Sequence, residues 1–207
     1  ALPGTPLSSV ADDERATAIA AGVIRRLERP VPAAHAFPSV AGWVGNMARK
    51  APALLAEGAP QWSWVRRALS LYAELAVPIE DEVLLHGDLH QGNVLAASRE
   101  AWLAIDPKGV TGPPVWETGP LLINVLPQRV DSPEGKRVLL RRADQLADEL
   151  GCERDRLRAW GVVRAVLSGF WTLEDEGRFD AWVLQVAAVL SRRGLFPRLM
   201  QRQAPPY

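Results

Sequence analysis

A mainly helical α+β lobe, with a small β-hairpin set between helices, is the fold class this sequence predicts. Two patterns carry that expectation. Apolar residues recur at helical spacing early in the chain and again over its second half, and between these stretches lie short apolar runs bounded by polar loops. The 207 residues, 48% of them hydrophobic, suffice for one domain with a proper core or for one large lobe of a bigger protein.

The elements follow in order. The first ten residues are rich in Pro, Gly and Ser and read as a linker. Asp12 and Asp13 stand before Ala16, Ile19, Ala20, Val23, Ile24 and Leu27, a helical stripe with acids at its positive end. Arg29-Pro30-Val31-Pro32 stops that helix. Ser39 caps a second helix carrying Val40, Trp43, Val44 and Met47, which should end near Ala51-Pro52. A third helix, from about 60 to 76, turns Trp64, Ala68, Leu71, Tyr72 and Leu75 inward. Residues 82–86 are too brief for a free-standing helix and read as a buried strand; 87–92 form a polar loop. Residues 94–96 and 102–105 pair as a hairpin around a polar turn. After a loop at 107–114, helical patterning returns at 117–125, 132–150, 154–173 and 178–193, punctuated by Pro127, Gly151 and Gly194.

Composition narrows the function classes. A formal net charge of zero argues against a general nucleic-acid binder, which needs a basic stripe or excess. The cluster Arg192, Arg193, Arg198 and Arg202 reads as a solvated helix end, with a functional anion site as the alternative. The single cysteine, Cys152, allows no intrachain disulfide, which suits a reducing cytoplasm. No apolar run reaches the ~18 residues a membrane span needs. The N-terminus has neither a basic nor an apolar leader region and no initiator Met, so it reads as a processed or trimmed chain or a fragment.

Chemistry concentrates in His86-Gly87-Asp88-Leu89-His90-Gln91-Gly92-Asn93 and Ile105-Asp106-Pro107-Lys108-Gly109. Phosphoryl transfer needs a carboxylate to take or orient the proton of the attacking hydroxyl, and oxygen ligands to hold Mg²⁺ on the phosphates of ATP. Protein kinases use an Asp, an Asn five residues later, and a second Asp on the next hairpin. Asp88, Asn93 and Asp106 match those roles in type, order and spacing. A hairpin would bring Asn93 and Asp106 together as a seat for Mg²⁺. Turn chemistry is the bland alternative for each: Asp88 beside Gly87, Asn93 at a loop end, Asp106 before Pro107. A rival is metal hydrolysis, with His86, Asp88 and His90 as zinc ligands; it accounts for neither Asn93 nor the strand leading to Asp106.

The stretch from His86 to Leu95 resembles the motif shared by aminoglycoside phosphotransferases, choline kinases and their relatives. Its extension, Trp102-Leu-Ala-Ile-Asp106-Pro-Lys-Gly109 and Glu117-Thr-Gly-Pro-Leu-Leu122, resembles the streptomycin 6-phosphotransferase and hydroxyurea-resistance kinase branch. Leu2-Pro-Gly-Thr-Pro-Leu7 resembles the segment after the interlobe hinge of those enzymes, and Trp171-Thr-Leu-Glu-Asp175 a C-terminal helix motif.

The resemblance implies a protein-kinase-like C-terminal lobe at 12–207 after a post-hinge linker at 1–11, with the N-terminal nucleotide lobe absent. The chain has no G-x-G-x-x-G, no G-K-[ST] and no β-rich segment before Asp12. It implies Asp88 as catalytic base and Asn93 and Asp106 as Mg²⁺ ligands, with ATP as phosphoryl donor. His86 would brace the loop, His90 approach phosphate or steady the loop, and Lys108 neutralise phosphate or stand in solvent. Glu117, where many relatives carry Asp, would support the catalytic loop or serve as a first-turn helix charge. Glu174 and Asp175, with Glu176, would meet a cationic acceptor such as streptomycin, or be a solvated helix boundary. A catalytically silent remnant that binds a ligand or partner is the alternative from another class.

Overall fold

Asp12 sets where the first helix starts. Its carboxylate accepts the backbone N–H groups of Glu14 and Arg15 and caps α1 (Asp13–Leu27). The computed structural model describes residues 3–56, 58–76, 82–124 and 130–191. The expected helix positions 125 and 192–193, with Pro127, Gly194 and the remaining arginines of the C-terminal cluster, lie outside them.

Ser39 caps α2 (Val40–Leu54) through the N–H of Gly42. The helix runs past Pro52 instead of stopping there, because the carbonyl that Pro52 cannot serve belongs to Ala48, an exposed residue within reach of water. In α3 (Pro60–Leu75) Val65 is fully buried where Trp64 was expected, and Trp64 is only half-buried beside it. Further along come α4 (Gly119–Ile123), α5 (Pro133–Leu150), α6 (Arg154–Glu176) and α7 (Ala181–Leu190). The segment expected as one helix at 117–125 divides into a 3-10 turn, Pro114–Thr118, and the short α4, since Pro114 and Pro120 each withhold an N–H from a continuous ladder.

α6 is the spine. It is buried almost all round from Leu157 to Leu167 and packs against α2, α3, α4, α5 and α7, as a helix in the middle of a core must. α1 lies on α5, where Asp13 receives the guanidinium groups of Arg141 and of the buried Arg142.

Two small sheets are set among the helices. β1 (Arg29–Pro30), β2 (Val83–Leu85) and β5 (Val110–Gly112) form one antiparallel sheet in the order β1-β2-β5; β3 (Val94–Ala96) and β4 (Trp102–Ala104) form a hairpin. Strand β5 falls inside the stretch expected as loop. Flanked by Gly109, Pro113 and Pro114, it carries turn residues, yet Val110 lies opposite Leu85 and all three of its residues are buried. Gly112 is required there, because a Cβ would lie 2.6 Å from Cγ2 of Val40. The segment before α1 is also pinned: Pro6 bridges Leu95 of the hairpin, and Leu7 is completely buried.

The chain thus runs β2, loop 86–93, hairpin β3–β4, loop 105–109, β5, and β5 returns to β2. That circuit lays the two loops side by side.

Candidate active site

His86 fastens the two loops together. Its ring Nε2 lies 2.8 Å from the carbonyl of Ile105, and its Nδ1 accepts the N–H of Asp88 at 3.3 Å. Its backbone carbonyl accepts the N–H groups of Lys108 and Gly109. Nε2 must therefore donate, so the ring is the neutral Nε2–H tautomer, and burial holds its pKa below the usual histidine range. Gly87 has φ +83°, and a Cβ there would stand 2.7 Å from Cγ1 of Val110, so glycine is needed twice over.

Glu117 supports the loop from below. Its carboxylate is 2% exposed and accepts the N–H of His86 at 2.6 Å and of Gly87 at 3.0 Å. Burial pushes its pKa up to about 7, against the opposing pull of backbone N–H groups and of Arg164. Between the unfolded value of 4.5 and about 7, the folded chain keeps a proton that the unfolded chain has released. Stability should therefore fall as pH rises through that window, by on the order of 3 kcal/mol for this group. His86 acts oppositely: its depressed pKa means stability is lost as pH falls below 6.5, its unfolded value. Urea unfolding at pH 5 and pH 7.5 separates the two, because Glu117→Gln should remove the decline on the alkaline side and leave the histidine's contribution on the acid side.

Asp88 and Asn93 lie on the first loop, and Asp106 on the second. Asn93 ends a 3-10 turn, Gln91–Asn93, and its Nδ2 donates to the carbonyl of Asp88 at 3.0 Å, so Oδ1 is the side-chain atom left to act as a ligand. Its own carbonyl accepts the N–H of Ile105 at 2.9 Å, so Asp106 follows directly across the hairpin end. Asp106 has φ +58°, the positive-φ non-glycine residue among those described, a conformation kept where surroundings impose it. Lys108 Nζ lies 3.4 Å from Oδ2 of Asp106 and 3.9 Å from Oδ2 of Asp88. One ammonium is thus within ion-pair reach of both carboxylates, which marks a place where positive charge is favoured. An amide oxygen and a carboxylate are hard donors of the kind Mg²⁺ takes. His90 Nδ1 accepts the N–H of Gly92 and holds the turn.

The zinc alternative finds no support in this geometry. Both ring nitrogens of His86 are engaged, and no group of three or more His, Cys, Asp or Glu is placed to hold a metal among the described residues. His35 is stacked on Phe37 in an exposed segment.

Glu174 and Asp175 sit in the last turn of α6, which continues to Glu176. Glu174 receives Lys50 Nζ at 2.6 Å and Asn46 Nδ2 at 3.3 Å, both from α2; Asp175 is exposed, and Glu176 pairs with Arg178. The same faces of α2 and α6 carry Trp43 and Trp171, packed edge to face at 5.2 Å. Trp43 also lies beside Gly87, so an aromatic wall joins the acidic end of α6 to the loop.

One residue of the site escaped sequence reasoning. Arg164, in the middle of α6, is 3% exposed and brings Nη2 to 3.8 Å from Oδ1 of Asp88. Its signal was available: Val162-Val163-Arg164-Ala165-Val166 places a charge where every helix face is apolar, and such a charge must be buried against a partner.

Comparison with known proteins gives the family and the fold. Residues 3–176 match the family model described as aminoglycoside/hydroxyurea antibiotic resistance kinase. The streptomycin 6-kinase of Streptomyces glaucescens is 36% identical over 172 residues, covering 82% of this chain and 55% of that protein. The hydroxyurea phosphotransferase of Kitasatospora aureofaciens is 42% identical over 113 residues, 54% of this chain and 30% of that protein. The chain therefore spans about half the length of the streptomycin 6-kinases it matches. Among solved structures, the choline kinase LicA of Streptococcus pneumoniae superposes with a TM-score of 0.55 at 15% identity, covering 91% of this chain and 66% of that one, a likeness of fold. With the family model spanning most of the chain and the loop-hairpin-loop circuit in place, this chain belongs to the aminoglycoside/hydroxyurea antibiotic resistance kinase family.

Proposed function

We propose that the chain provides the catalytic loop and cation-binding hairpin of a kinase that moves the γ-phosphoryl group of ATP, with Mg²⁺, onto a hydroxyl of a small polar acceptor, an aminoglycoside such as streptomycin. The observation that carries this is the convergence of Asp88, Asn93 and Asp106 on loops that His86 ties together, with a single ammonium in reach of both carboxylates. Relatives named streptomycin 6-kinase support the acceptor class, and a LicA structure in complex with AMP supports a nucleotide as ligand of this fold.

In this reading residues 12–207 form the C-terminal lobe and 1–11 the segment after the hinge. Asp88 orients the acceptor hydroxyl and takes its proton. Asn93 Oδ1 and the Asp106 carboxylate hold Mg²⁺, which when bound neutralises charge on the transferring phosphates. Lys108 adds a second positive charge there, and His90 steadies the loop at the phosphate side. Glu117 and His86 keep both loops in register. Glu174 and Asp175 receive the cationic groups of the acceptor, which exchange with Lys50 at Glu174. Catalysis is then positioning and charge neutralisation with little covalent work by the protein. Small-molecule acceptors, not nucleic acid or a membrane, are the partners; no helix of the described residues is long and apolar enough to cross a membrane. The cytoplasm, with its ATP, is the proposed compartment.

A coupled assay of the full-length protein with ATP, Mg²⁺ and streptomycin tests the reading. Steady ADP formation that requires both the acceptor and Mg²⁺ is expected. Ligand binding without turnover, for streptomycin and for other hydroxylated antibiotics, would favour a silent remnant instead.

A further inference from the structure

We propose that Arg164 is a positioning residue for Asp88, a buried guanidinium that holds one carboxylate oxygen so that the other meets the acceptor hydroxyl. The proposal rests on the reading of Asp88 given above and adds a residue from a helix that the loop motif does not include.

The two oxygens of Asp88 are sorted by two different cations. Arg164 Nη2 stands 3.8 Å from Oδ1, inside the protein, and Lys108 Nζ stands 3.9 Å from Oδ2, at the exposed mouth. Lys108 is half-exposed on a flexible stem, whereas the Arg164 side chain is 4% exposed. Only the inner cation is fixed. Its guanidinium carbon lies 4.7 Å from the ring centre of Trp171 and 5.8 Å from that of Trp116, so two indoles confine it. Its stem crosses Gly119, where a Cβ would sit 2.5 Å from Cγ of Arg164. The backbone beside Glu117 is thus shaped to let this arginine through.

A purely structural task does not account for the placement. Arg142, the comparably buried arginine of α5, donates to the carbonyl of Leu121 and to Asp13 and so ties elements together. Arg164 has no hydrogen-bond partner for Nε or Nη1 among the described residues. Burial lowers its pKa to about 10, which still leaves it charged at neutral pH. A fully buried cation with so few hydrogen bonds is unfavourable for folding alone. What it does have is electrostatic attraction to Asp88, 3.8 Å away on the loop, and to Glu117, which holds the loop backbone. Fixing Oδ1 there restricts rotation of the carboxylate and presents Oδ2 to the acceptor. Orientation of this kind is worth large rate factors, since a misplacement near 1 Å can lower turnover about 10²-fold.

The experiment uses the full-length protein, with Arg164→Lys, Arg164→Met, Asp88→Asn and the double variant Asp88→Asn/Arg164→Met. Turnover, KM for ATP and for streptomycin, and melting temperature are measured for each. Arg164→Met is expected to lower kcat by about 10²-fold with KM for ATP within about twofold and no fall in melting temperature. Arg164→Lys keeps the charge and loses the planar fork, so an intermediate fall in kcat is expected. In the double variant the arginine change should add nothing to the loss from Asp88→Asn, because Arg164 acts through that carboxylate.

Three results would overturn the proposal: unchanged kcat in folded Arg164→Met, unchanged kcat in Arg164→Lys should the Met variant fail to fold, or full additivity in the double variant. Wild-type turnover in Asp88→Asn would instead overturn the assignment of Asp88 itself.

Discussion

Asp88→Asn should lower turnover by about 10²–10⁴-fold while fold and nucleotide affinity stay close to wild type. The carboxylate lies on the loop after β2, and its backbone carbonyl, not its side chain, is what Asn93 uses to hold the turn. An amide of the same shape therefore keeps the loop and removes the group able to take a proton. It also removes the negative charge that faces Arg164 and Lys108, at 3.8 and 3.9 Å, so the two cations lose a counter-ion without losing a packing partner. Steady-state kinetics of the full-length protein, with ATP binding followed by calorimetry, check both halves of the prediction. Near wild-type kcat would contradict the role of Asp88, and loss of ATP binding would mean that Asp88 grips the nucleotide instead.

Glu117→Ala should lower stability by about 3–5 kcal/mol. It leaves the N–H groups of His86 and Gly87 without their acceptor in a buried setting. Above pH 7, where Glu117 is ionised, it also strips Arg164 of one of its two anionic neighbours. The cost is two unsatisfied donors, a less compensated buried cation, and a cavity. Glu117→Gln should be milder, about 1–3 kcal/mol, because its carbonyl oxygen can still accept from His86 while its NH₂ faces the N–H of Gly87. Urea denaturation at one pH ranks the three proteins. Equal midpoints for wild type and the alanine variant would show that Glu117 does not hold the loop.

Local chemistry explains which elements could be read ahead of the structure. Asp12 and Ser39 cap helices through N–H groups two and three residues on, and the hairpin closes within eleven residues, from Val94 to Ala104. Signals of that range survive in a single sequence. Strand β5 did not, since Val110-Thr111-Gly112 looks like loop until Leu85, far back in the chain, supplies its partner. The same range governs the site. Asn93 and Asp106 are neighbours because one hairpin makes them so, and their spacing announces it. Arg164 reaches Asp88, and Lys50 reaches Glu174, only after α6 packs under the loop and against α2. Apolar periodicity predicts that α6 is buried; it does not say which buried residue lies beneath which loop.

In the proposed function Asn93 and Asp106 hold the cation that serves the phosphates. Anomalous scattering from a crystal of the full-length protein grown with Mn²⁺ and a non-hydrolysable ATP analogue tests it most directly. A peak is expected about 2.0–2.3 Å from both Asn93 Oδ1 and an Asp106 carboxylate oxygen, lost in Asp106→Ala. A peak on the imidazoles of His86 and His90, with none at Asn93 and Asp106, would contradict it.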